Sequence, residues 1–361
     1  MNNNSLDKNI YLQALKKLTD NHTLGYTQEF TGSGIKVFMK KIVHRLLACI
    51  IPAILDKQNE INANTVLCMQ QILPLFDLLP AAPPHSEGDI QMLEEIPYRS
   101  LIVEGIKYFY SRTDRVIPQD MLRSGLNWAG GDIENFVKAA DRIFYRDVPT
   151  NTGIFLDIGG NIGTTSIYCK MKLKNQFRFI AFEPLKECAR LFAANCAING
   201  VDDDISVEQV ALSSKKSSDM LMYINEENLG GSGLVAAENA QTIPTEKVSV
   251  TALDSYLDEK GIQVSEIKYA WIDVEGHEVE VLEGASQFYK KHKVPTFVEF
   301  NQHGYKMWNT YDKMVSLVTE YFDYFITSGQ LVKQDFTLRP IEEISMLWEE
   351  LEHKPCDVMF V

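Results

Sequence analysis

A chain of 361 residues, 45% of them hydrophobic, can bury a real core and is long enough for two or three domains, which excludes disorder and collagen-like or mucin-like repeats. Lys and Arg total 35 against 49 Asp and Glu, and the net charge of -14 argues against a nucleic acid partner because acidic surfaces repel phosphate. The six cysteines show no paired spacing and the N-terminal MNNNSLDKN lacks a signal-peptide layout, so reduced thiols and a cytoplasmic location are expected.

Residues 1–90 carry helix-type patterning. Lys36, Lys40, Lys41 and Arg45 flank an apolar run from Leu46 to Leu55. That run is about half of the roughly 20 residues a membrane-spanning helix requires and contains Pro52, so no transmembrane segment is expected; peripheral membrane contact stays open. Further on, Ile54, Gln58, Ile61, Thr65, Cys68, Ile72, Leu75 and Leu79 alternate four and three apart, the seam of a short coiled coil or helical hairpin. The seam predicts either a homo-oligomer joined through residues 35–80 or packing on the chain's own remainder. Pro80 to Gly88 is rich in breakers and reads as a linker.

Residues 91–149 form an expected cover segment. Ile133, Phe136, Val137, Ala140, Ile143 and Phe144 share one helix face that Asp132 is placed to cap, and Trp128 is placed to lie over a neighbouring pocket. After Pro149 the pattern changes. Strands are expected at 154–158, 178–183, 205–210, 268–273, 296–300, 321–327 and 357–361, with helices near 162–174, 186–199, 276–290 and 310–320. This alternation predicts an α/β, Rossmann-like, mainly parallel seven-stranded sheet over 150–361. A hairpin of 220–224 with 247–251 would carry the Gly230, Gly231, Gly233 loop, expected to close over a ligand.

The segment Phe155-Leu156-Asp157-Ile158-Gly159-Gly160-Asn161-Ile162-Gly163-Thr164-Thr165-Ser166 is an apolar strand running into a glycine turn that opens a helix. A dinucleotide fingerprint needs glycine at the third and sixth positions counted from Gly159, where Asn161 and Thr164 stand. That fingerprint fails, which weighs against a nicotinamide-dependent oxidoreductase. Asp157, two residues before the first glycine, suits a cationic ligand such as S-adenosylmethionine, with its sulfonium and ammonium. Glu183, at the end of the next strand, is placed to accept both ribose hydroxyls, although both acids could instead cap the helices that follow.

Five motifs in order, Asp157 to Gly163, Phe182-Glu183-Pro184, Val210-Ala211-Leu212-Ser213, Val250 to Asp254, and Ile272 to Leu282, resemble the FkbM family of S-adenosylmethionine-dependent methyltransferases over about 150 to 300. The resemblance implies a class I methyltransferase fold. It implies Asp157, Gly159, Gly160, Asn161 and Gly163 around the methionine part of the cofactor, with Ser166 adding a hydrogen bond. Glu183 and Pro184 would then meet the ribose, and Gln209, Ala211 and Leu212 the adenine. The family pattern usually has Ala where Gly160 stands. Residues 1–90 fall outside the resemblance.

Methyl transfer to oxygen also requires a base to take the hydroxyl proton. Asp273, Glu275, His277, Glu299 and His303 are the candidates, since all fall at or just beyond the carboxyl ends of the fourth and fifth strands. The same carboxylates suit a divalent metal such as magnesium, but no dedicated metal motif is present and no metal site is expected. The implied reaction is O-methylation of a sugar hydroxyl in a polysaccharide or glycan, or of a natural-product hydroxyl. A cofactor-binding scaffold without turnover is the remaining alternative.

Overall fold

The computed structural model describes residues 97–145, 152–173, 176–235, 244–352 and 354–361, apart from the side chains of Gln176, Val235 and His303. The helical patterning, linker and seam expected within residues 1–90 lie outside the described residues.

In chain order the described elements begin with β1 (Tyr98–Val103), β2 (Ile106–Ser111), α1 (Ile117–Ser124), α2 (Gly130–Ile143), β3 (Thr152–Ile158), α3 (Thr164–Lys172), β4 (Gln176–Phe182), α4 (Lys186–Asn199) and β5 (Ile205–Glu208). There follow β6 (Ala211–Leu212), β7 (Ser217–Tyr223), β8 (Gly233–Val235), β9 (Thr245–Thr251), α5 (Leu253–Lys260), β10 (Ile267–Ile272), α6 (Glu278–Gly284), α7 (Ser286–Lys291) and β11 (Thr296–Val298). The chain then passes through α8 (Gln302–Met307), α9 (Tyr311–Tyr321), β12 (Tyr324–Thr327), α10 (Ser328–Val332), β13 (Arg339–Pro340), α11 (Leu347–Glu350) and β14 (Val358–Phe360).

The main sheet has eight strands in the order β13-β12-β14-β11-β10-β3-β4-β5. Strands β5, β4, β3, β10 and β11 run parallel, whereas β14, β12 and β13 pair antiparallel. The fold class is the expected one, a mainly parallel Rossmann-like α/β sheet, with one more strand than expected. The extra strand is the two-residue edge β13, too short for any periodic signal. The expected helix over 276–290 is two helices, α6 and α7, with the break at Ala285.

Side chains alternate between the two faces of β3 and feed two cores. Phe155 belongs to one with Phe177, Phe179, Tyr269 and Trp271. Ile154, Leu156 and Ile158 belong to the other with Phe182, Val279 and Leu282. Burial on both faces is why β3 reads as a near-continuous apolar run. Helix α2 closes the first face. Phe136 from α2 sits edge-on to Phe155, Tyr269, Trp271 and Phe297, with ring centroids 5.7 to 6.3 Å apart. The helix starts after Ala129 with no side-chain cap, so Asp132 lies in its first turn instead of capping it.

The expected hairpin is present, with β7 antiparallel to β9 and Met220 opposite Val248. It is part of a four-stranded sheet, order β6-β9-β7-β8. The glycine loop folds back so that Gly233–Val235 pairs along β7. The β1–β2 hairpin, which patterning did not announce, packs into the first core through Leu101, Val103, Ile106 and Tyr108.

Candidate active site

The order of the main sheet reverses direction between β3 and β10, and a crevice opens at such a switch point outside the carboxyl ends of the strands. Backbone hydrogen bonds continue one residue past the strands. The N–H of Asp273 donates to Ile158 O at 2.9 Å, that of Glu299 to Ile272 O at 2.9 Å, and that of Glu183 to Glu208 O at 3.0 Å. This register brings acids from β4, β10 and β11 to one edge.

The glycine turn forms the floor. The N–H groups of Gly159 and Gly160 both donate to Phe182 O, at 3.0 and 3.1 Å, which ties the turn to β4. Gly159 adopts φ 98°, and any Cβ there would collide with Asp273 O. A Cβ on Gly160 would lie 2.6 Å from Phe192 Cε1, and one on Gly163 would strike the same ring. Two of the three glycines therefore serve the packing of α4, and only Gly159 borders the cavity.

Asn161 has left-handed backbone at φ 47° and directs its N–H onto Glu183 Oε2 at 2.8 Å. Its Oδ1 is buried without a partner, on a residue that lines the cavity. Glu183 is 5% exposed and accepts a second N–H, from Leu185, at 2.8 Å. Burial, opposed by these two hydrogen bonds and assisted by the nearby Asp157, pushes its pKa up to about 8. Each Glu183 oxygen retains a lone pair, so holding the local turn and accepting ligand hydroxyls are compatible roles.

Asp157 lies beneath this floor, fully buried. Ser166 Oγ donates to its Oδ2, Oδ1 has no partner, and burial raises its pKa to about 6. Neither Asp157 nor Ser166 lines the cavity, so both support the turn from behind. Pro184, Ala211 and Leu212 do line it. Gln209 does not. A tight turn, with Val210 N–H returning to Glu208 O at 2.8 Å, turns Gln209 out to solvent. Trp128 also lies outside the cavity lining, at 45% exposure, because Asn127 is the residue drawn inward, its Nδ2 donating to Tyr108 Oη at 2.7 Å.

The roof comes from the glycine loop, through Leu229, Gly230, Ser232 and Leu234, with Met222 from β7. A Cβ on Gly230 would lie 2.7 Å from Ile117 Cδ1 and 3.1 Å from Asn161 Nδ2, so the loop is wedged between α1 and the floor. Arg115 N–H donates to Glu227 O at 2.8 Å and fastens the same loop to the segment before α1.

Asp273, Val274, Glu275 and His277 complete the cavity. Asp273, Glu275 and Glu299 each offer a carboxylate oxygen, all within 4.8 Å of one another. Burial is the first cause that raises all three, Glu275 to about 7, Glu299 to about 10 and Asp273 well above the usual range; repulsion from Glu278 adds to Glu275, from Asp273 and Glu275 to Glu299, and from Glu275 and Glu278 to Asp273. Such a group can share protons, or could hold a divalent cation. Glu299 Oε2 is buried without a partner.

His277 is held at both ring nitrogens, Nε2 2.9 Å from Ser213 Oγ and Nδ1 3.5 Å from Glu280 Oε2. Burial lowers its pKa to about 4, so the ring is neutral at ordinary pH. His303 falls within α8, and its side chain lies outside the described residues.

Several participants escaped sequence reasoning. Glu278, fully buried, accepts N–H groups from Val274 at 3.2 Å and Gly276 at 3.1 Å and the hydroxyl of Tyr305 at 3.1 Å, which fixes the turn bearing Asp273 and Glu275. Ser213 and Glu280 stood inside quoted motifs, and their contact with His277 required the fold. Asp357, which further raises Asp273 and Glu299, arrives from the C-terminal strand and had no local signal.

Residues 157–325 match the methyltransferase FkbM domain. The methyltransferase sdnD of Sordaria araneosa is 29% identical over 167 residues, covering 39% of this chain and 63% of that protein, so the chain spans less than two thirds of that relative's length. Among solved structures, the methyltransferase FkbM of Methylobacillus flagellatus KT superposes with a TM-score of 0.37 at 12% identity, covering 66% of this chain and 61% of that one. An O-methyltransferase from Bacillus cereus, in complex with SAH, gives a TM-score of 0.34 at 13% identity, covering 69% and 98%.

Proposed function

We propose that this chain, whose residues 157–325 carry a methyltransferase FkbM domain, is an S-adenosylmethionine-dependent O-methyltransferase. The observation that carries the reading is one cavity in which Gly159, Asn161 and Glu183 face Asp273 and Glu275. S-adenosylmethionine would supply the methyl group, its sulfonium becoming the neutral thioether as the acceptor oxygen takes the methyl and the hydroxyl gives up its proton. Asn161 Oδ1 suits the ammonium of the donor, Glu183 its ribose hydroxyls, and Leu185, Ala211, Leu212 and Met222 an apolar ring.

Glu275 takes the hydroxyl proton. It is the exposed member of the acidic group, able to meet an acceptor, and its pKa near 7 matches a general base at neutral pH. Glu299, pushed up to about 10, keeps its own proton in that range. His277, neutral and engaged at both nitrogens, orients the turn and does not abstract the proton. The acceptor in this reading is a hydroxyl-rich glycan, supported by the crowded carboxyls, which suit hydroxyl donors. Oligomerisation through residues 35–80 and a cytoplasmic location belong to the same proposal. A second reading, a divalent cation that Asp273, Glu275 and Glu299 would hold, is favoured by carboxylate oxygens that all lie within 4.8 Å of one another.

Two substitutions test the reading. Glu275→Gln is expected to lower turnover by on the order of a hundredfold with cofactor affinity spared, and to abolish a rise in kcat/KM as pH climbs through about 7. Glu183→Ala is expected to weaken S-adenosylmethionine binding, measured by calorimetry, by on the order of 1.5 to 3 kcal/mol. Unchanged affinity would remove the ribose assignment. Retained turnover after exhaustive chelation supports proton transfer alone; loss restored by added magnesium selects the cation.

A further inference from the structure

Beyond the acids, the rim carries a tryptophan seated by two glycines. Trp308 follows α8, and its N–H donates to Gly304 O at 2.9 Å. The benzo edge of the indole lies against two positions that lack a Cβ. One is Gly304, where a Cβ would come 3.0 Å from Cζ3; the other is Gly276, where it would collide with Cζ3 and Cη2. Gly276 has φ 95° and is the residue between Glu275 and His277, both of which line the cavity. Trp308 remains 48% exposed, beside a Met307 exposed at 66%.

The part of the indole that stays in water is free to stack on a ligand at the rim. Its seat is also specific. On the other flank of Glu275, a Cβ on Gly233 of the roof would lie 3.1 Å from Glu275 O. The backbone of Glu275 thus lies against the roof at Gly233, that of the next residue, Gly276, against the indole, and carboxylate oxygens of Asp273 and Glu299 lie within 4.8 Å of one on Glu275.

We propose that Trp308 is a specificity-determining residue that forms the wall of the acceptor subsite, stacking against the apolar face of a hydroxyl-bearing ring while the hydroxyl reaches Glu275. The inference rests on the methyltransferase reading of the same site. The shared chemistry it recognises is a ring with one apolar face and a hydroxyl on its edge, and two sources supply it: a pyranose or a catechol-type arene. Stacking on indole serves both, because a pyranose presents axial C–H groups and an arene its π-face. Gly276 then has two duties, admitting the left-handed turn and admitting the ring.

The test uses the full-length chain with methyl pyranosides in one arm and catechols in the other. Binding is read by saturation-transfer NMR in the presence of S-adenosylhomocysteine, and turnover by methyl transfer from S-adenosylmethionine. One arm is expected to bind and be methylated. Trp308→Ala is then expected to raise KM for that arm by about threefold to tenfold, with kcat at saturation and cofactor affinity unchanged, and Trp308→Phe to recover most of the loss. Gly276→Ala, which displaces the indole, should raise KM in the same direction.

An unchanged KM in Trp308→Ala, with its melting temperature retained, overturns the proposal. So does a wild-type chain that binds the cofactor yet binds no ring compound of either arm. A wild-type chain that fails to bind S-adenosylmethionine instead sinks the methyltransferase reading, which keeps the two failures distinct.

Discussion

At the scale of single residues, Gly160 shows how a motif position acquires a local reason. The resembling family usually carries Ala there. In this protein a Cβ would stand 2.6 Å from the ring of Phe192, a fully buried residue of α4. Gly160→Ala is therefore expected to destabilise the protein by about 1 to 3 kcal/mol through overpacking. Chemical denaturation should show the loss, and Gly160→Ala combined with Phe192→Leu should recover part of it; full stability in the single variant would mean the ring can yield.

The same scale explains why Asp157 was legible as an important acid but not as to its contact. Strand-end position is encoded locally, whereas the presence of Ser166 Oγ on its carboxylate depends on how α3 leaves the turn. His277 is similar. Its ionisable character was evident from sequence, and its engagement with Ser213, 64 positions away, was not.

At the scale of elements, the strands of the central sheet were readable because burial on two faces leaves unbroken apolar runs. Elements of two or three residues, β6, β8 and β13, carry no period and exist only through pairing. The strand β8 matters most, because it converts a glycine loop into the roof of the cavity. That roof is fastened by the N–H of Arg115 to Glu227 O and lies against Ile117. Hydrogen exchange over residues 227–235 is expected to slow when S-adenosylmethionine binds. Ile117→Ala should speed exchange there in the free protein and weaken cofactor binding severalfold. Exchange that ignores both the ligand and the substitution would make the loop a passive turn.

At the scale of the whole molecule, the acidic balance that made nucleic acid an unsuitable partner has a structural location. Asp157, Glu183, Glu275 and Glu299 have pKa values raised to about 6, 8, 7 and 10 from ordinary values of 3.8 or 4.5, burial being the largest cause in each. Folding therefore retains protons that the unfolded chain releases. The stability these groups contribute is complete below about pH 4 and is lost progressively above it, until pH has risen through the folded values of about 6 to 10. The melting temperature of the free protein is expected to fall between about pH 5 and pH 9. Cationic S-adenosylmethionine should flatten that fall, as should Glu275→Gln with Glu299→Gln. A melting temperature that rises across the range would mean the carboxyls ionise without penalty. No helix among the described residues is long and apolar enough to cross a membrane.

By itself the sequence determined the fold class, the glycine turn, the order of the site motifs and the set of acids at the strand ends. These follow from local chemistry, because strand periodicity, turn conformation and the residue at a strand tip are each written within a few positions. Only the tertiary structure decided which of those residues share a cavity, which merely support it, and what Trp308 rests against. Register between strands, the reversal of the sheet between β3 and β10, and the return of the chain through Asp357 join groups distant in sequence. Contact across such separations is set by packing of the whole core, which no local pattern records.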